Sequence, residues 1–277
     1  MRTFIPTIHL FPTLDNLLIE LLHSLSNDDW QHPTLAGQWT IKDIAAHLLD
    51  GNLRTLSMLR DGYFGEQPGE INSYQDLVDF LDGLNADWVK AMRRLSPRVL
   101  IELLEITGKQ YTAYLESLDP NAKAVFSVAW AGEQESLNWF HIAREYTEKW
   151  HHQQQIRLAT GQEAPLYTRE LYHPYLETSM RALPHHYRDT PAPDGACICF
   201  HITGEAGGDW YLLREADHWA LSADCPATPV CDVVIDGEIA WRLFTKGISR
   251  KEAEARVQIS GRQELGGGIF GMLAIMG

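Results

Sequence analysis

Through the first 160 residues apolar side chains recur every three or four positions, the spacing of one helical face. Leu14, Leu17, Leu18, Leu21, Leu22 and Leu25 form the first such stripe. A loop with Pro33, Gly37 and Trp39 follows, the indole reading as exposed. Thr40 then fits an N-cap, with Asp43 at the third helical position, ahead of the apolar run Ile44–Leu49. A third helix is predicted from Tyr74, carrying Leu77, Val78, Leu81, Leu84, Trp88 and Met92. Ser96 and Pro97 read as a cap and a first helical residue, where proline's missing N–H is harmless. The helix behind them holds Val99, Leu100, Leu103, Leu104, Tyr111 and Tyr114. A last long helix is predicted from about Ser136 to Thr160, closed by Gly161 in the left-handed conformation. Long helices joined in this order predict an up-and-down four-helix bundle.

After Gly161 the texture changes. Pro165, Pro174, Pro184, Pro191 and Pro193 punctuate the chain, although residues 172–187 keep a helical pattern. Alternation bounded by turn residues then predicts strands over 196–204, 207–214, 218–223 and 230–237. Residues 239–247 and 264–277 read as closing helices. The fold class is therefore α+β, with a helical domain over 1–165 and a smaller α+β domain over 166–277.

Composition narrows the function. Nine Trp, ten Tyr and nine Phe in 277 residues need a core, which excludes a disordered chain. A net charge of −14 repels phosphate backbones and anionic lipid, so neither nucleic acid nor membrane is an expected partner. No apolar stretch is long enough to span a bilayer, and the N-terminal segment lacks the apolar run of a secretory signal, so a cytoplasmic protein is expected. The four cysteines, Cys197, Cys199, Cys225 and Cys231, are then expected as reduced, buried thiols rather than a zinc site.

Twelve histidines are many, and their positions carry the candidate chemistry. Glu148 and His152 lie four apart on one helix, hence on the same face, where a carboxylate and an imidazole can hold one cation. A third ligand is needed, and His47, a polar ring within an apolar run, is the candidate. Two His and one Glu leave positions open for water or substrate, the catalytic pattern. His47 equally fits a hydrogen-bonded core histidine, and Glu148 an ion pair with Arg144 one turn earlier. His151 points about 100° away from His152, whereas His141 shares the face of Glu148.

Residues 35–50 (LAGQWTIKDIAAHLLD) and 145–161 (EYTEKWHHQQQIRLATG) together resemble the mycothiol-dependent maleylpyruvate isomerase N-terminal family, a branch of the DinB-like metal-binding bundles. The matching positions are Trp39-Thr40, His47-Leu48, Glu148, His152, Ile156-Arg157 and Gly161, and the likeness runs over residues 10–162. It implies His47, Glu148 and His152 as ligands of a divalent metal, zinc first, with nickel or manganese as alternatives. It also implies a low-molecular-weight thiol as cosubstrate, a thiol-using isomerase or transferase activity, and a sterol-carrier-like second domain. A metal-water hydrolase, or a binding or regulatory protein holding a hydrophobic ligand, are the competing readings. A substrate with carboxylates would need cations near the site, and Arg54, Arg144, Lys149 and Arg157 are available, each with a solvated helix face as its plainer role. Arg262 lies in a Gly-rich turn without the strand-loop-helix setting of a phosphate loop.

Overall fold

The computed structural model describes residues 4–225 and 228–275. The helical half consists of α1 (Phe11–Ser24), α2 (Ile41–Thr55), α3 (Tyr74–Met92), α4 (Pro97–Glu116) and α5 (Asn138–Thr160). Helix starts follow the sequence signals. Thr40 and Asp43 form a reciprocal capping box at α2, and the Ser96 hydroxyl accepts from the Val99 amide at α4. Gly161 ends α5 at φ +67°, a conformation that a side chain would strain.

Side-chain pairs give the helix directions. Phe11 meets Tyr146 and Asp15 meets Lys149, so α1 runs with α5. Arg54 reaches Asn85, Trp88 donates to the Ala46 carbonyl, and Arg93 reaches Asp43, so α3 runs against α2. α1, α2, α4 and α5 make the bundle while α3 lies outside against α2. Gly108 on α4 allows a close approach, since a Cβ there would sit 2.8 Å from Asp15 Oδ2.

The remainder holds α6 (Arg169–Ser179), α7 (Leu183–His186), β1 (Cys197–Ile202), β2 (Gly208–Glu215), β3 (His218–Ser222), β4 (Cys231–Ile235), α8 (Gly237–Phe244), α9 (Arg250–Glu254), β5 (Val257–Gly261) and α10 (Gln263–Gly266). The strands form a mixed sheet in the order β3-β2-β1-β4-β5, in which only β1 and β4 pair in parallel. β1 alternates as expected, with Ile198, Phe200 and Ile202 buried on one face. Three elements differ from the sequence reading; one is α9, a short helix in a stretch for which no element is expected. β5 is an added edge strand, whose alternation of Val257 and Ile259 with Gln258 and Ser260 is too short, at five residues, to stand out in the sequence. The expected helix over 264–277 is a single turn, α10, followed by a 3₁₀ turn over Gly267–Gly271, because three consecutive glycines give a helix little support; Met276 and Gly277 lie outside the described residues.

One apolar cluster runs from α1 and α5 into the sheet with Trp150 of α5 at its junction, and a second, holding Leu18, Ile44, Leu104 and Ile156, lies between α1, α2, α4 and α5. Its indole is fully buried, stacked on Tyr172 at 4.7 Å, beside Tyr175 at 4.4 Å, and edge-on to Trp241 at 6.1 Å. Hydrogen bonds frame this aromatic cluster: Tyr146 donates to the Leu171 carbonyl, Tyr172 to the Gly237 carbonyl, and Trp241 Nε1 to Tyr167 Oη. No helix among the described residues is long and apolar enough to cross a membrane.

Trp150→Ala is expected to destabilise the protein by about 3–5 kcal/mol, as large aromatic-to-alanine cavities do. Because the cluster around Trp150 is continuous, urea unfolding followed by helix and by aromatic signals should shift as one transition. A loss confined to the sheet signal would show that the two halves are not coupled there.

Candidate metal centre

α5 is buried along most of its length, polar residues included. Asn138, His141, Thr147, Lys149, His151, His152, Gln153, Gln154, Gln155 and Arg157 are all buried. Buried polar groups need partners. Lys149 donates to Asp15 Oδ1 at 2.8 Å and lies over the Tyr111 ring. Arg157 donates to the carbonyls of Leu17 and Gln162. Neither is the solvated helix-face charge that the sequence suggests: both tie α5 to its surroundings, and their charge is not free for a ligand.

The bundle brings His47, Glu148 and His152 together. Glu148 Oε1 lies 3.3 Å from His47 Nε2 and 3.0 Å from His152 Nε2, and the three ligand atoms fall within 4.8 Å of one another. Both histidines are buried, whereas the Glu148 side chain keeps 44% of its surface exposed, so the cluster opens to one side. Trp39, half-buried rather than exposed, packs on the two imidazoles at 5.0 and 6.4 Å between ring centres.

Gln155, which the sequence reading did not single out, sets the chemistry of His152. Its Oε1 accepts from His152 Nδ1 at 2.9 Å, placing the proton on that nitrogen. A neutral His152 then turns its Nε2 lone pair toward the Glu148 carboxylate at hydrogen-bond distance. Two acceptors facing each other need a cation between them, either a proton or a metal. His47 turns its Nε2 to the same carboxylate, and its Nδ1 is buried and without a hydrogen-bond partner among the described residues. The donor set, two imidazoles and a carboxylate on facing helices, fits a divalent metal with positions left open.

Electrostatics agree. Burial works against the charge on Glu148, yet the imidazoles of His152 and His47 hold its carboxyl well below the usual carboxylate range. Burial lowers His47 despite its bond to Glu148, which keeps that ring neutral and able to ligate. His151 lies beside the three, its Nδ1 bonded to the Thr147 carbonyl at 3.0 Å and 3.9 Å from Glu148 Oε2. His141 stands apart from the three in a second network. Arg144 Nη2 donates to His141 Nδ1 at 2.8 Å and to Glu145 Oε1 at 2.6 Å, and Tyr111 of α4 donates to Glu145 Oε2. Arg54 is paired with Asp50 at 2.9 Å, and Arg262 with Glu264. The cysteines are free thiols; burial, aided by the neighbouring Cys225, pushes Cys197 up to about 12, so it is no nucleophile at neutral pH.

A helical bundle with an imidazole-carboxylate cluster at its open edge is fused here to a smaller α+β unit built on a mixed sheet. The chain belongs to the mycothiol maleylpyruvate isomerase N-terminal domain family, whose sequence pattern matches residues 11–157, more than half of its length. Its fold is similar to crystal structures of the mycothiol-dependent maleylpyruvate isomerase. A histidine-to-alanine mutant of that protein aligns with a TM-score of 0.56 at 13% identity, covering 94% of this chain and 96% of the other. Another structure of that isomerase gives 0.52 at 12% identity with the same coverage. Among curated proteins no relative matches.

His141 supplies a pH dependence. Burial first, then the Arg144 charge, lowers it from 6.5 to about 4, with Glu145 opposing. The folded protein thus resists a proton that the unfolded chain accepts, so the stability it contributes is complete above pH 6.5 and is lost as pH falls toward 4. The loss is expected to be on the order of 3 kcal/mol over that interval. His141→Gln should flatten this part of the profile in thermal melts between pH 7 and 4. Parallel profiles for the two proteins would exclude His141 as the source.

Proposed function

We propose that this protein is a metal-dependent isomerase of the maleylpyruvate isomerase type, using a low-molecular-weight thiol such as mycothiol as cosubstrate. The convergence of His47, Glu148 and His152 carries the reading, because the cluster calls for a cation and has an open side. A divalent ion held there, zinc or else nickel or manganese, lowers the pKa of a bound thiol so that thiolate is present at neutral pH. His47 presents a neutral nitrogen, Gln155 orients the His152 ring through Nδ1, and Glu148 contributes the negative charge. Trp39 covers the imidazoles and keeps water off one side of the cluster. The overall reaction is a change of double-bond geometry: thiol adds to an activated C=C, the resulting single bond turns, and elimination returns the thiol, so nothing is consumed or oxidised. In this reading residues 1–165 provide the ligands and residues 166–277 stiffen α5 from the other side. Family membership and fold likeness support the class of reaction; the ligand set supports the metal.

Metal content by plasma mass spectrometry, beside turnover of maleylpyruvate with mycothiol, tests the proposal. Wild type should hold about one ion per chain and isomerise the substrate only when thiol is present, and His152→Ala should lose both. Turnover without any thiol would point to hydrolysis by metal-bound water, and undiminished metal in His152→Ala would remove the ligand assignment.

Gln155 gives a finer check. Gln155→Ala should weaken metal binding about 10- to 100-fold, as loss of a supporting hydrogen bond to a ligating histidine does. Competition with a chromogenic chelator measures this directly, and equal affinity would show that the His152–Gln155 bond plays no part.

A further inference from the structure

Three glycines stand inside the long helices of the first half, and they differ in what surrounds them. Glycine weakens a helix interior relative to alanine, so each position calls for a reason. Gly108 has one in packing, since a Cβ there would sit 2.8 Å from Asp15 Oδ2. Gly83 of α3 is exposed, on the outer surface, with open space around it. Gly51 of α2 fits neither description. Its backbone is ordinary helix without a positive φ, and among the described residues a Cβ there would meet no atom within 4 Å. It is half-buried nonetheless, and His47 and Thr55, one turn before and one turn after it in the same row, are both buried.

The direction of that row places the gap. Trp39 reaches His152 while His47 meets Glu148, so α2 runs against α5. Trp39 precedes α2 and covers the two imidazoles from that end. Gly51 lies toward the other end, one turn past His47, about 40° round and about 6 Å along the axis. Along α5, Glu148 is farther from Trp39 than His152 is, and it is the ligand that stays exposed, at 44% of its side-chain surface against 10%. The open part of the cluster and the position of α2 that carries no side chain are thus both turned away from Trp39.

We propose that Gly51 sets the room for the substrate: its missing side chain leaves a gap beside His47 and Glu148 into which the unsaturated acid reaches, and the width of that gap limits which acids enter. This rests on the functional reading above and deepens it by naming a residue that decides what the site admits. Alanine at this position would improve the helix without touching a neighbour, so stability gives no reason for glycine, whereas a ligand in the gap does. The gap is one omitted side chain wide, which suits a short planar acid. A wall held between packed helices yields little, so each carbon added to it is felt by the ligand.

The experiment uses zinc-loaded full-length protein, with Gly51→Ala and Gly51→Leu. Melting temperature and zinc content are read beside KM for maleylpyruvate, KM for mycothiol, and the calorimetric Kd of maleate as a plain acid probe without thiol. Gly51→Ala should melt about 2–4 °C higher, as the better helix former, and still raise the maleylpyruvate KM and the maleate Kd about 10-fold. Gly51→Leu should raise both about 100-fold, with zinc content and the mycothiol KM unaltered. A firmer protein with a weaker hold on the acid is the signature that a purely structural glycine would not give. Unchanged KM and maleate affinity in Gly51→Leu, with zinc retained, overturns the proposal and leaves the isomerase reading intact. A rise confined to the mycothiol KM assigns the gap to the thiol and overturns it as well. If wild type does not turn over maleylpyruvate, that reading fails, and the titration decides alone: maleate binding weakened in Gly51→Leu upholds the proposal, and equal or absent binding in both overturns it. Should Gly51→Leu not fold, Gly51→Ala decides, and an affinity equal to wild type counts against the proposal.

Discussion

A carboxylate held between two buried imidazoles constrains more of this chain than any other contact. Glu148 is ionised, and His47 and His152 meet the same oxygen at 3.3 and 3.0 Å. The Glu148 side chain keeps 44% of its surface exposed, so water meets one side of the charge while the surrounding fold must bring and hold the partners on the other. His152 comes with Glu148 on α5, one turn away. His47 comes from α2, 101 residues earlier, and its position depends on everything that fixes α2: the Thr40–Asp43 capping box, the Arg93 contact with Asp43, and the Trp88 bond to the Ala46 carbonyl. Helix α3, outside the bundle, thereby bears on the site although it contributes no ligand.

The other sides of α5 answer the same constraint. An ordinary amphipathic helix buries one stripe. This one buries nearly all of its circumference, because α1 and α2 pack on one part and α6 on another, with Tyr111 of α4 and Trp241 of α8 reaching it as well. Its polar residues therefore sit in internal pairs: Lys149 with Asp15, Arg157 with the Leu17 carbonyl, Glu145 with Tyr111 and Arg144. Each pair lets a charged or polar group lie inside, although His141 Nε2 and Gln154 Oε1 of the same helix are buried without a partner among the described residues.

That burial also explains what could and could not be read from the sequence. The helices of the first half were legible, since their stripes and caps are local features: Thr40, Ser96 and Gly161 act where their chemistry indicates. The β1 to β4 strands were legible from alternation and turn residues. β5 was not, because its alternation holds only two apolar residues, Val257 and Ile259, and the Gly266–Gly268 run hid the short α10 turn. At the site, Glu148 and His152 share a face by spacing alone, while His47 became a candidate through its setting in an apolar run and a family likeness. Gln155, Lys149 and Arg157 could not be assigned, since helical period tells which residues share a face but not that the polar face is itself enclosed. Trp39 reads as a loop indole until the loop is seen folded over the imidazoles.

The enclosure determines how well the site is held. Rotation of α5 would unstack Trp150 from Tyr172 on one side and pull Lys149 from Asp15 and Arg157 from the Leu17 carbonyl on another. Trp150 and Lys149 adjoin one another in sequence, so the two anchors grip the helix within one turn of Glu148 and His152. The stripe carrying Arg144, Glu148 and His152 is thus aimed by contacts that take no part in it, and its geometry exists before any ligand arrives. Such preorganisation separates a cluster that merely tolerates a cation from one that can hold it with positions left open. The aromatic junction with the sheet unit, far from decorating the bundle, is what fixes the direction in which the carboxylate faces.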